Sequence, residues 1–590
     1  MRFARISKAV GVAAIAALAL SACASTSGSG STTSAAGGKE GGSATVVETN
    51  GFSSFNANTA DGNSDINSKI SYATHSGFNY IDNNLNVVKN EKFGKYEKVS
   101  DDPLTIKYTI NDGVKWSDGA PVDANDLILQ WAAYSAHYND ANADGSAGTS
   151  YFQYAGDSTG LGLTDFPEIG DNGKSVTLKY SKPFADWEVA FGSLVEIPAH
   201  VVASKTGFKD ADALTAFLKG LPKGNPEAPA AASPELKKVA DLWNTGFDTK
   251  TMPDPSLALS NGAYMAKTME PEQSMTLVKN PDYNWGPASH LDSITVRYIG
   301  DASAAISALK NGEADIIAPQ PSADTVSQLK ALESQGITVD QGAQLAYDHL
   351  DLNFSGVFAD ANVREAFMKV VPRHDILDKI IKPLDDKAKV LDSQIFIPQQ
   401  AGYENSAKNN GSSKYGAVDI EGAKTLLNGA TPTVRIMYNK DNPNRLDAYT
   451  LIAANAAKAG FKLVDGGLGK SDWSKALGNG TYDATIFGWI SSGVGVSSVP
   501  QLFKTGAGNN FNGFSNPDAD KLMDQLVVTT DKAKQDELNT QIDKIIWDSK
   551  YGLPLFQSVN VDAYSDKITG VKFMSNQTGV WWNFWDWTSK

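Results

Sequence analysis

The stretch from Leu104 to Trp131 admits few local structures. Leu104, Ile106, Tyr108 and Ile110 alternate with Thr105, Lys107 and Thr109, the period of a strand with one buried face. Asp112-Gly113 and Asp118-Gly119 are turn dipeptides that allow positive φ, and Val114 and Trp116 alternate between them. Asp123 stands where a helix N-cap belongs, with Asp126 three residues on in the place of a capping box. Ala124, Leu127, Ile128 and Trp131 form one apolar stripe at helical spacing. The spacing predicts strand, turn, short strand, turn and capped helix.

A chain of 590 residues is too long for a single core, so two or three domains are expected. With 52 basic against 67 acidic residues, and no basic run beyond the extreme N-terminus, nucleic-acid binding is excluded as a reading. The six histidines lie far apart, without an HExxH or a paired metal spacing. Gly469-Lys470-Ser471 lacks the upstream glycine of a phosphate loop because position 464 is Val.

The single cysteine, Cys23, bears on compartment. Arg2, Arg5 and Lys8 precede an apolar run from Ala9 to Leu20 that is too short to span a bilayer. Leu20-Ser21-Ala22-Cys23 resembles a bacterial lipobox, which implies cleavage before Cys23 and a lipid on its thiol. Residues 1–22 are thus expected to be a signal peptide. The Ser, Thr, Gly and Ala of residues 23–43 are expected to form a flexible tether.

Gly113-Val114-Lys115-Trp116-Ser117-Asp118-Gly119-Ala120-Pro121-Val122, followed by Ala124-Asn125-Asp126, resembles the signature of family 5 extracellular solute-binding proteins of ABC importers. Three further blocks follow the same family. They are Asn261-Gly262-Ala263-Tyr264 with Asn280-Pro281-Asp282-Tyr283 and Leu291-Asp292-Ser293-Ile294; Asp360-Ala361-Asn362-Val363-Arg364 with Arg373-His374-Asp375-Ile376; and Tyr482 to Trp489. The resemblance implies an α/β fold of the type II periplasmic-binding-protein class, with two α/β lobes, hinge strands and a third, smaller domain. The expected division is lobe I over 44–85, 191–347 and 563–590, the small domain over 86–190, and lobe II over 348–562.

The resemblance also implies a non-enzymatic receptor on the extracytoplasmic face of the membrane. Such a receptor, expected to be a monomer without cofactor, passes a solute to ABC transporter permease subunits. Peptide receptors of this family place an acid three residues after the Gly-Trp; here that position is Ser492. Trp489, Ser491 and Ser492 are therefore the expected ligand contacts, and a buried ammonium there would lack its counter-charge. Phe55, Asn56, Phe78 and Asn79 are expected either to touch the ligand or to pack beneath lobe I. Trp581 and Trp582, in a run of four Trp within seven residues, are expected to face the cleft. Arg364 is expected to hold its own helix.

Asp140, Asn142 and Asp144 have the spacing of a calcium loop, but Tyr151 stands where such a loop needs a bidentate Glu. A plain turn is expected, with no metal. A peptide is the expected ligand class, with an oligosaccharide or other uncharged solute as the alternative. A secreted glycosidase with two carboxylates about 5 to 9 Å apart is a competing reading. A nickel or haem receptor is disfavoured by the scattered histidines.

Overall fold

The computed structural model describes residues 39–141, 147–490 and 494–590. Cys23 and the expected signal peptide lie outside the described residues, as do Asn142, Asp144, Ser491 and Ser492. The fold is α/β and is built on a ten-stranded mixed sheet and a separate four-stranded antiparallel one.

Two long antiparallel strands, Ile337–Leu352 and Gly552–Ser565, sit at the middle of the ten-stranded sheet. At ~3.3 Å per residue each crosses from one lobe into the other. On the Ile337–Leu352 side the next strands are Ala484–Ile490, Thr433–Asn439 and Lys462–Leu468. On the other side, Ile316–Ile317, Ser43–Glu48 and Ser293–Tyr298 are followed by the pair Ser274–Lys279 and Tyr264–Glu270. Each lobe thus contributes parallel strands, and the two long strands tie them together.

The pairing of these two strands slips between Ala343 and Tyr347. Leu345 turns its amide to the carbonyl of Ser575 at 2.7 Å instead of to the ladder. The Gln557 side chain caps the carbonyl of Gln344 at 2.7 Å, which satisfies a group that the bulge releases. The sheet therefore changes register at this point, with Leu345 and Gln344 finding partners outside the ladder.

The Leu104–Trp131 unit folds largely as its spacing predicts, except that the expected short strand is reduced to an isolated bridge between Lys115 and Pro121. Leu104–Ile110 is a strand of the four-stranded sheet, and Gly113 and Gly119 adopt φ of 88° and 93°. Ala124–Tyr134 is a helix with a complete capping box formed by Asp123 and Asp126. Asp126 does more than cap. Its carboxylate also accepts from the Trp116 indole at 3.2 Å and from the Ala199 amide at 2.8 Å. One buried side chain therefore joins turn, helix and the following helix Ala199–Thr206. Trp116 and Trp131 are fully buried, and truncating either is expected to cost ~3–5 kcal/mol.

Arg364 donates locally to the carbonyls of Phe358 and Ala359 and, across the fold, to that of Ser549. Asp140 also has a structural place. Its two carboxylate oxygens accept from the amides of Thr149 at 2.6 Å and Ala230 at 2.8 Å, so both serve the main chain. Among the described residues no group of three His, Cys, Asp or Glu could hold a metal. No described helix is long and apolar enough to cross a membrane.

Candidate ligand-binding site

A cavity of ≈ 350 Å³ opens between the lobes beside the two long strands. Its wall follows strand parity. Gln344, Ala346 and Asp348 line it from one hinge strand, Ser558, Asn560 and Asp562 from the other, and Gly488 and Ile490 from Ala484–Ile490. Lobe I adds Glu48 at the end of Ser43–Glu48, and Asp65 and Lys69 from the first turns of helix Asp65–Thr74. Arg445, from the first turn of helix Pro443–Ala459, closes the lobe II side.

Two ion pairs organise this wall. Arg445 grips Asp348 with two parallel bonds of 2.9 and 3.1 Å, a fork-on-carboxylate geometry. The pair lies across the backbone of Gly488. A Cβ at that position would stand 2.5 Å from an Asp348 oxygen and 3.1 Å from the guanidinium, so glycine is required there. Lys69 meets Glu48 at 2.7 Å, and the Trp581 indole donates to the other Glu48 oxygen at 2.7 Å. Burial pulls the Lys69 ammonium pKa down, but Glu48 and Asp65 outweigh it and the net shift is upward.

Asp562 is the perturbed acid of the cavity. Burial pushes its carboxyl up to about 7; Lys69 opposes the shift, while Asp340 and Glu48 reinforce it.

The expected contacts are distributed differently. Trp489 lies on the opposite face of its strand from Gly488 and Ile490. Its half-buried ring runs parallel to Phe511 at 6.0 Å and to His349 at 6.1 Å. Phe55 packs edge-on against Phe52 in the core, and Asn56 spends its amide on the Trp243 carbonyl at 2.8 Å. Phe78 is buried against Phe93 and Tyr108, while Asn79 accepts from the Ser193 hydroxyl. All four side chains are buried within the protein, and none of them lines the ≈ 350 Å³ cavity.

Trp581 and Trp582, expected to face the cleft, do not line this cavity. Trp581 is fully buried and holds Glu48 from behind, and Trp582 donates to the Lys572 carbonyl; the cavity wall is made instead by the preceding Gly579 and Val580. An indole buried this deeply needs a partner for its N–H, and Glu48 supplies one for Trp581.

The reading of the residues missed Glu48, Lys69, Asp348, Arg445 and Asp562. Asp562 sits in Ser558-Val559-Asn560-Val561-Asp562, an alternation that looks like any half-exposed strand. Only its full burial marks it.

A second cavity, of ≈ 370 Å³, lies where Tyr154, Phe184, Asp186 and Ser193 face Val494, Ser497 and Gln501.

The family model described as bacterial extracellular solute-binding proteins, family 5 Middle, matches residues 91–511. The chain belongs to that family. An uncharacterized lipoprotein of Mycobacterium tuberculosis is 25% identical to it over 551 residues, 90% of each chain. The oligopeptide-binding protein OppA of Mycobacterium bovis is 25% identical over 474 residues, which are 77% of this chain and 69% of OppA. Among solved structures, a periplasmic EDTA-binding protein superposes with a TM-score of 0.79 at 22% identity, covering 94% of this chain and 97% of the other. The oligopeptide-binding protein AppA of Bacillus subtilis, in complex with a nonapeptide, gives 0.72 at 19% identity, covering 94% and 100%. These superpositions show the fold: a type II periplasmic binding protein. Family 5 proteins are the solute-binding components of ABC importers.

Proposed function

We propose that this chain is a lipid-anchored receptor on the extracytoplasmic face of the bacterial membrane. It captures a peptide-sized solute between its lobes, performs no catalysis, and delivers the solute to the permease of an ABC importer. In this reading lobe I comprises 44–85, 191–347 and 563–590, the small domain 86–190, and lobe II 348–562. The observation that carries the reading is a cavity walled by both lobes and by the two strands that join them. A solute that touches both lobes favours their closed arrangement by its extra affinity for it.

A peptide suits the wall. Gln344, Asn444 and Gln577 line the cavity with amide groups that can pair with a peptide main chain. The lipoprotein relatives and Cys23 support the anchor.

Native mass spectrometry of the freshly purified protein tests the reading. Co-purified peptides are the expected result. A saccharide in their place would overturn the peptide assignment, and turnover of a peptide or oligosaccharide would overturn the receptor.

A further inference from the structure

Building on the peptide reading, we propose that the carboxylate of Asp562 receives a primary ammonium group of the ligand at the floor of the interlobe cavity. The charge balance of the wall points there. The cavity is lined by four carboxylates, Glu48, Asp65, Asp348 and Asp562, and by two cations, Lys69 and Arg445. The charge of Arg445 is paired with Asp348 through Nε and Nη2. Lys69 is used on Glu48 at 2.7 Å and reaches Asp65 at 3.8 Å. Asp562 is left as a completely buried acid without a cation of its own.

Its hydrogen bonding is also incomplete. Oδ1 accepts from the Asn560 amide at 3.0 Å, while Oδ2 has no partner among the described residues. Directly opposite in the antiparallel pair stands Asp340, whose carboxylate takes the Tyr564 hydroxyl at 2.9 Å. Facing carboxylates repel, and a buried charge without a partner is costly. The groups around Asp562 are Lys69 from helix Asp65–Thr74, Glu48 from strand Ser43–Glu48, Asp340 from the facing hinge strand, and Asn560 from its own. Lys69 alone among them is positive, and it is shared.

A proton satisfies Asp562 in the free protein. A ligand cation satisfies it in the complex, with that proton released to solvent. An ammonium offers three donors to such an oxygen. A metal ion is a poorer occupant, since no described group of three His, Cys, Asp or Glu could hold one. Asp562 would thus stand in for the acid that the sequence lacks at Ser492.

The test uses the purified full-length chain and three tetrapeptide libraries, with retained species read by native mass spectrometry. The first library has free amino termini and no Lys, Arg or His; the second is the same set N-acetylated; the third is N-acetylated with Lys included. The first is expected to be retained and the second to bind about 100-fold more weakly, the loss that follows when one partner of a buried charge pair is missing. Retention of the third would identify a side-chain ammonium as the source.

Affinity for a retained peptide is expected to be about tenfold weaker at pH 6 than at pH 8, because Asp562 must give up its proton. Asp562→Asn is expected to abolish both the amine preference and the pH slope, with folding checked by circular dichroism. Asp562→Ser is the second variant, and the wild-type pH profile decides without either. Equal retention of free and acetylated libraries at both pH values overturns the inference and leaves the peptide reading standing. So does an Asp562→Asn protein that keeps the preference and the slope. Retention of no library overturns the peptide reading and this inference with it.

Discussion

The carboxylate of Asp186 accepts hydrogen bonds from the Ser497 hydroxyl at 2.6 Å and from the amides of Val496 and Ser497 at 2.8 Å. Asp186 lies in the connection after the four-stranded sheet, and Ser497 lies beyond the strand that carries Trp489. One side chain therefore spans two parts of the fold that are distant in sequence, beside the second cavity. Asp186→Ala removes an anion that collects three donors. Their loss is expected to weaken the closed arrangement by ~1–2 kcal/mol, or roughly tenfold in peptide retention. Small-angle scattering should show a larger mean radius of gyration. An unchanged radius and unchanged retention would exclude a latching role.

Gly488→Ala places a methyl group against the Asp348–Arg445 pair. The pair must then give way, and an interrupted buried pair costs on the order of 3 kcal/mol. Arg445→Ala is expected to lose a similar amount, since Asp348 is left buried and unpaired. The double variant should lose less than the sum, because both changes remove the same interaction. Additive losses in denaturant melts would show the two sites to be independent.

Lys69→Met leaves Glu48 buried with only the Trp581 indole against it. A loss of ~3–5 kcal/mol is expected. Glu48→Gln in the same chain should recover part of it, because the amide removes the uncompensated charge. Guanidinium unfolding of the single and double variants reads the coupling directly.

Asp126 makes stability depend on pH. Burial pushes its carboxyl up to about 7, with Asp123 adding to the shift and the bonds from Ala199, Asp123 and Trp116 opposing it. A folded-state pKa above the unfolded value of 3.8 means that the protonated acid favours folding. Its contribution is full below about pH 4 and is lost as pH rises through about 7. Asp126→Asn, which cannot accept all three donors, is expected to be less stable by ~1–3 kcal/mol near pH 4. The gap should narrow as pH rises towards 8. A gap that widens with pH in thermal melts would reverse the assignment.

Local chemistry was legible where neighbours in sequence are neighbours in space. The capping box of Asp123 and Asp126, the positive φ of Gly113 and Gly119 and the burial of alternate residues in Leu104–Ile110 all follow from short-range rules. They determined the scaffold and its family. Aromatic content does not by itself mark a site, because Phe55, Phe78 and Trp581 are large enough to be claimed by the core. Trp489 lies in the strand Ala484–Ile490, and the face it takes depends on register. A shift of one residue exchanges it with Gly488 and Ile490.

The tertiary structure alone decided the cavity. Glu48, Lys69, Asp348, Arg445 and Asp562 come from five separate elements, and each looks like a surface residue in its own segment. What sets them apart is removal from water next to one another. Burial and charge pairing arise only when the two long strands bring both lobes to a common floor.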